Sequence, residues 1–125
     1  MSLKWIKFLF IVSGIYDALL GVAALLFGAE IFRAAGVTPP NHIGYIQFPA
    51  LLVILFGIVF LCIAKDPHRR REWILLGMGL KASYFGLVFC HQLLGDIPKL
   101  WIPWAWADLV FFLLFFAAWR GLREQ

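Results

Sequence analysis

Three charged side chains stand inside long apolar stretches of this sequence: Asp17, Lys81 and Asp108. A charge at the centre of a bilayer costs several kcal/mol, so residues of this kind pair with one another or mark a functional site. Carboxylates and an ammonium group in that setting can form ion pairs, hold a polar group of a ligand or exchange a proton. These three residues are therefore the first candidates for the chemistry of this protein.

A polar stripe is predicted along the segment that contains Lys81. Lys81, Tyr84, Val88, His91 and Gly95 follow one another at spacings of 3, 4, 3 and 4 residues, which places them on one face of a helix. A stripe this polar is expected to face other helices and not lipid. Together with the two carboxylates it predicts a polar seam, either ligand-binding or structural, formed by Asp17, Lys81, Tyr84, His91 and Asp108.

The sequence lacks the motifs of common enzyme classes. It contains no G-x-x-x-x-G-K-[ST], C-x-x-C, H-E-x-x-H or G-x-S-x-G pattern. His42 and His91 are the only candidates for a metal or haem ligand, and they have no companion thiolates or clustered carboxylates. The sequence therefore favours a protein that is not an enzyme, predicts no metal site beyond these two candidates and indicates no particular cofactor.

Apolar segments dominate the chain, which has 125 residues, 63% of them hydrophobic and only 14% charged. A chain this short has too little interior for so many apolar side chains, so lipid is their expected solvent. Each long segment would extend about 28–34 Å as a helix, which matches the hydrocarbon core of a bilayer. We predict an all-α fold, a single membrane domain over residues 1–125, arranged as a four-helix bundle with helices near Trp5–Phe27, Ile43–Ala64, Trp73–Leu94 and Trp101–Trp119.

Lysine and arginine are unevenly distributed between the ends of these helices. Most of them flank one side of the predicted bundle, whereas Arg33 and Lys99 flank the other. The positive-inside rule then predicts a multi-pass protein of the inner membrane with both termini in the cytoplasm. The net charge of +4 comes from helix ends, so nucleic acid is not an expected partner. The cytoplasmic loop carries the residues expected to contact anionic lipid headgroups: Arg69, Arg70 and Arg71.

The loops carry recognisable helix boundaries. Residues 30–35 are expected to form a small separate helix at the outer interface, which Gly36 would end. Asp66 followed by Pro67 predicts the start of the third helix, since aspartate is a good N-cap and proline suits the first helical position. Gly95 is expected to end that helix.

The same polar residues also have purely structural interpretations. Asp17 and Lys81 could form an ion pair that only fixes helix packing, and Asp108 could simply form a hydrogen bond with Tyr84 or with a backbone group. In the first helix Asp17 lies among small residues that favour close helix packing: Gly14, Gly21, Ala24 and Gly28.

Several of these features together resemble a known group of proteins. They are Tyr16-Asp17 with Gly21 in the first helix, Asp66-Pro67 before the third, Gly77 with Lys81, and Asp108 in the fourth. In these features nearly the whole chain resembles the DoxX-like proteins and related uncharacterised small four-helix membrane proteins of bacteria. Membership of that group would imply a four-helix membrane fold and a quinone-linked, redox or envelope function.

Three functions fit the sequence. The first is a small inner-membrane protein that binds a lipid or a small amphiphile in the polar seam between its helices. The second is an accessory or assembly subunit of a larger membrane complex, with a seam that is only structural. The third is a proton-coupled transporter that acts as a homodimer, since four short helices enclose little space, with Asp17 or Asp108 as the titrating group.

Overall fold

The computed structural model describes residues 1–124, and these residues are almost entirely helical. Four helices follow one another along the chain, and a short 3₁₀ helix, Lys99–Trp101, precedes the last of them. Each of the four long helices is long and apolar enough to cross a membrane, so the chain has the form of a multi-pass membrane protein. The bounds are Leu3–Ala34 for α1, Gly44–Lys65 for α2, Arg71–Leu94 for α3 and Ile102–Arg123 for α4.

Helix α1 is longer than predicted because the expected interfacial helix is joined to it. The backbone leaves helical geometry at Phe27 (φ −129°, ψ 17°) and then continues as helix to Ala34. The predicted short helix over residues 30–35 is therefore present as the segment beyond the kink, which ends at Ala34, but it is joined to α1 without an intervening loop. Gly36, with a positive φ of 75°, follows the end of the helix as expected.

The turn between α2 and α3 also differs from its prediction. Asp66 Oδ1 accepts a hydrogen bond from the backbone N–H of Arg69 at 3.3 Å, so this aspartate stabilises a tight turn. Helix α3 begins only at Arg71, and Asp66-Pro67 is therefore not its start. At the other end of α3 the prediction is confirmed, because Gly95 adopts the left-handed conformation that ends the helix (φ 104°).

Helices α1 and α2 form the closest pair in the bundle, and glycines make that approach possible. A Cβ added to Gly57 would lie 2.8 Å from the carbonyl oxygen of Gly14 and 2.9 Å from the amide nitrogen of Ala18. A Cβ added to Gly21 would lie 2.7 Å from the carbonyl oxygen of Ala50. The predicted small-residue face of α1 is thus used for backbone-to-backbone packing.

The α1–α2 hairpin and the α3–α4 hairpin meet in an aromatic core at one end of the bundle. Phe10 and Phe115 stack with their ring centroids 4.6 Å apart, and Phe60 meets Phe115 edge-on at 5.1 Å. All three side chains are fully buried. Met1 and the last turn of α4 lie at this same end, since a Cβ on Gly121 would be 3.5 Å from the carbonyl oxygen of Met1. We call it the terminal end.

Apolar side chains cover the outside of the bundle, as a lipid environment requires. Leu19, Leu26, Leu76 and Leu87 on the helices are more than half exposed. The two cysteines, Cys62 and Cys90, are both free. The outer surface therefore suits lipid, and the buried polar residues stand out against it.

The glycine contacts predict opposite effects for two glycine-to-alanine changes. Gly57→Ala pushes a methyl group against fixed backbone atoms of α1 and should destabilise the bundle by about 1–3 kcal/mol. Gly79→Ala meets nothing within 4 Å and should be neutral or stabilising by up to about 1 kcal/mol, because alanine is the better helix former. Unfolding in detergent, followed by circular dichroism, measures both. Equal stability of the two variants would contradict the proposed packing.

Candidate functional site

An ionic cluster of three side chains lies at the centre of the bundle. The Lys81 ammonium donates to Asp17 Oδ1 at 2.8 Å, to Asp17 Oδ2 at 3.1 Å and to Asp108 Oδ1 at 3.0 Å. An ammonium group has three N–H donors, so each of them is matched by one carboxylate oxygen. We refer to Asp17, Lys81 and Asp108 as the triad.

The triad is removed from solvent and surrounded by aromatic rings. The side chain of Lys81 is 1% exposed, that of Asp17 3% and that of Asp108 12%. The Lys81 nitrogen lies 5.1 Å from the ring centroid of Phe111 and 5.4 Å from that of Tyr16. Cation–π attraction at these distances adds to the two ion pairs, and the lysine is held in one position.

The Asp17–Lys81 pair expected from the sequence is present, and Asp108 joins it by binding Lys81. The alternative in which Asp108 accepts a hydrogen bond from Tyr84 is not seen, because the Tyr84 hydroxyl donates to the carbonyl oxygen of Trp101 at 2.9 Å. Lysine has a four-carbon stem, so its nitrogen can bind at a level different from that of its own backbone.

A cavity of about 530 Å³ extends from the triad toward the end of the bundle opposite the termini. Its walls are mostly apolar and come from all four helices, with Ala24, Ile46, Val53 and Leu80 among them. Inside the cavity the triad residues are the charged groups, and Tyr84 is a further polar one. An apolar cavity with a few convergent polar groups is the usual form of a small-molecule site.

Two aromatic side chains meet where the cavity reaches the end opposite the termini. Phe32, in the part of α1 beyond the kink, packs edge-on against Trp101 with ring centroids 5.3 Å apart. Both residues line the cavity, and the Tyr84 hydroxyl holds the backbone of Trp101. The kink in α1 and the 3₁₀ helix thus position the boundary of the cavity at this end.

His91 does not join the seam, and that part of the prediction is wrong. The residue is exposed and does not line the cavity. A helix turns about 100° per residue, so His91 lies about 80° around α3 from Lys81. Val88 lies within about 20° of Lys81, and it is buried. A 3-4-3-4 spacing defines a broad face, of which only the middle is covered by neighbouring helices.

The other histidine candidate serves the backbone. His42 Nδ1 accepts a hydrogen bond from the amide of Gly44 at 2.9 Å, at the start of α2. Among residues 1–124 no three His, Cys, Asp or Glu side chains come together in a group that could hold a metal ion. Neither His42 nor His91 therefore belongs to a metal-binding group in this part of the chain.

Two of the three arginines expected at lipid headgroups bind helix carbonyls. An Nη of Arg70 donates to the Cys62 carbonyl at 2.7 Å, and Nε of Arg71 donates to the Trp119 carbonyl at 2.8 Å. Cys62 belongs to the last turn of α2, whose carbonyls have no partner within the helix, so the bond from Arg70 stabilises that end. The bond from Arg71 connects the start of α3 to α4 near its end. Arg69 is exposed, and its contact with headgroups stays a prediction.

Sequence reasoning did not include the aromatic residues that line the cavity among the site residues: Phe32, Trp101 and Trp104. Trp104 lies one turn from Asp108 on α4, so their shared helix face was a usable signal. Nothing in the sequence indicates that Phe32 meets Trp101, because the two are far apart along the chain.

No protein-family model, curated protein or solved structure matches this chain.

The triad predicts strong and distinguishable effects on stability. Lys81→Met leaves two carboxylates together without a cation and should destabilise the bundle by about 3–5 kcal/mol. Asp108→Asn keeps the neutral Asp17–Lys81 pair and an oxygen acceptor, and should cost much less. Asp17→Asn should lie between them, because it removes the carboxylate that accepts two of the three hydrogen bonds. Unfolding curves of the three variants in one detergent give the order, and a Lys81→Met variant as stable as wild type would refute it.

Proposed function

We propose that this chain is an inner-membrane protein that binds a lipid or a small amphiphile in the cavity beside the triad. The observation that carries the proposal is the combination of an apolar cavity of about 530 Å³ with an ionic cluster at one end. Ligand sites usually measure about 300–1,000 Å³. The apolar walls suit a hydrocarbon part and the triad suits a polar group, so both parts of an amphiphile find a partner.

The division of the bundle into two halves supports this proposal. At the terminal end the two hairpins are joined by buried aromatic and aliphatic side chains, among them Phe10, Phe60 and Phe115. Toward the other end small side chains such as Ala24 and Gly28 line the cavity instead. An ion pair that served only for packing would need no such space beside it.

A variant that fills the cavity tests the proposal. Ala24→Phe places a large side chain in the cavity, whereas Val22→Phe places the same side chain on the exposed face of α1. In native mass spectrometry of protein gently extracted from its own membrane, wild type and Val22→Phe should carry one extra mass of small-molecule size. Ala24→Phe should have lost that mass.

Two other results of the same measurement would contradict the proposal. Stoichiometric foreign subunits and no small molecule would favour an accessory subunit of a membrane complex. A bound mass that is equal in wild type and in Ala24→Phe would show that the ligand lies elsewhere. A homodimer in which the bound mass persists agrees with the proposal. A proton-coupled transporter would in addition show substrate-dependent proton flux in liposomes.

The orientation in the membrane is part of the proposal. Basic residues are concentrated at the terminal end even when Arg70 and Arg71, which bind helix carbonyls, are left out. Arg33 and Lys99 lie at the other end, whereas six lie at or near the terminal end: Lys4, Lys7, Lys65, Arg69, Arg120 and Arg123. The positive-inside rule favours a cytoplasmic terminal end on this distribution. The cavity then lies on the outer side of the triad.

Labelling of single cysteines tests this orientation. In a variant whose Cys62 and Cys90 are replaced by alanine, Thr38→Cys in the α1–α2 loop should react with a membrane-impermeant maleimide in intact cells with a permeabilised outer membrane. Glu124→Cys should react only after the inner membrane is disrupted. Both positions are exposed, so accessibility differs only by the side of the membrane. The reverse pattern would show the opposite orientation.

A further inference from the structure

The formal charges of the triad do not balance. Two carboxylates face one ammonium group, which leaves one negative charge when both carboxylates are ionised. Among residues 1–124 no other charged side chain lines the cavity. An uncompensated charge in an apolar interior is costly, so a cationic group brought in by a ligand would stabilise this arrangement.

The negative charge that Lys81 does not compensate lies on Asp108. Both carboxylate oxygens of Asp17 accept hydrogen bonds from Lys81, whereas Asp108 uses only Oδ1. In the described chain, Oδ2 of Asp108 has no hydrogen-bond donor. The Asp108 side chain is 12% exposed against 3% for Asp17, and Asp108 lines the cavity. A ligand in the cavity therefore meets a carboxylate oxygen that is ready to accept.

The walls beside Asp108 also favour a cation. The aromatic side chains of Tyr84, Trp101 and Trp104 line the same cavity, and aromatic faces attract ammonium groups by about 0.5–2 kcal/mol. The chain already surrounds the Lys81 nitrogen with rings at 5.1–5.7 Å. The cavity can offer a ligand cation the same combination of a carboxylate and aromatic rings.

We propose that the ligand of this cavity is a cationic amphiphile, whose ammonium group donates a hydrogen bond to Oδ2 of Asp108 while its hydrocarbon part packs against the apolar walls. This inference rests on the proposed ligand-binding function. It disfavours an anionic headgroup, because the three donors of Lys81 are already occupied and the triad carries a surplus negative charge when both carboxylates are ionised. A neutral alcohol can donate to Oδ2, but it leaves that charge uncompensated.

Three probes with the same tail separate the headgroup from the hydrocarbon part: decylammonium, decanol and decanoate. Equilibrium binding of each labelled probe is measured with protein in nanodiscs of zwitterionic lipid at neutral pH. Nanodiscs that contain Ala24→Phe give the background due to partition into lipid. Wild type should bind decylammonium at least about tenfold more tightly than decanol, which is one step of 1.4 kcal/mol, and decanoate should not exceed background.

Asp108→Asn and Asp108→Glu assign the preference to the carboxylate. The asparagine variant should bind decylammonium no more tightly than decanol, because the surplus charge is gone. The glutamate variant keeps the charge and should retain the preference for the ammonium probe. Circular dichroism and thermal unfolding of both variants check the fold, and the glutamate variant alone decides the question if the asparagine variant does not fold. An ammonium preference lost in a folded Asp108→Glu variant would overturn the inference.

The remaining outcomes separate the inference from the proposed function. Equal binding of decylammonium and decanol above background, or tightest binding of decanoate, would overturn the cationic ligand and leave the amphiphile site standing. An ammonium preference that persists in Asp108→Asn would also overturn the role of Asp108. If none of the probes binds above the Ala24→Phe background, the proposed function fails, and the inference fails with it.

Discussion

The arrangement of this bundle depends on one ammonium group in an apolar interior. Lys81 satisfies its three donors with oxygens of Asp17 and Asp108, and a charge at that depth needs such partners because it is costly without them. The two carboxylates belong to different hairpins, α1–α2 and α3–α4. The triad therefore fixes the rotation of three helices at once and joins the hairpins near the middle of the bundle.

On either side of the triad the bundle is built differently. Toward the termini, Phe10, Phe60 and Phe115 are buried together between the hairpins. On the other side the lining includes small residues, and a cavity takes the place of a core. The close glycine contacts of Gly14, Gly21 and Gly57 keep α1 and α2 together along both halves. The cavity is thus bounded on one side by the closely packed α1–α2 hairpin. The space between this hairpin and the α3–α4 hairpin is where a ligand can bind.

Sequence reasoning predicted the helices and the important polar residues better than it predicted which residues contact one another. The four helices follow from apolar length, and the importance of Asp17, Lys81 and Asp108 follows from the cost of charge in lipid. The glycines of α1 were recognised as a packing face. The errors concern local geometry: Asp66 stabilises a turn ahead of α3, and His91 lies outside the covered part of its helix.

What the sequence determined by itself is the set of groups that had to be buried together. Apolar spans force helices, and two carboxylates with one lysine inside those spans force a polar contact. Only the tertiary structure decided that one lysine serves both carboxylates, because a flexible side chain can reach several levels of a neighbouring helix. Only the tertiary structure shows the cavity, since empty space depends on how far two hairpins stand apart. No single helix encodes that distance, because it depends on contacts between the two hairpins, such as the triad and the packing of Phe10, Phe60 and Phe115.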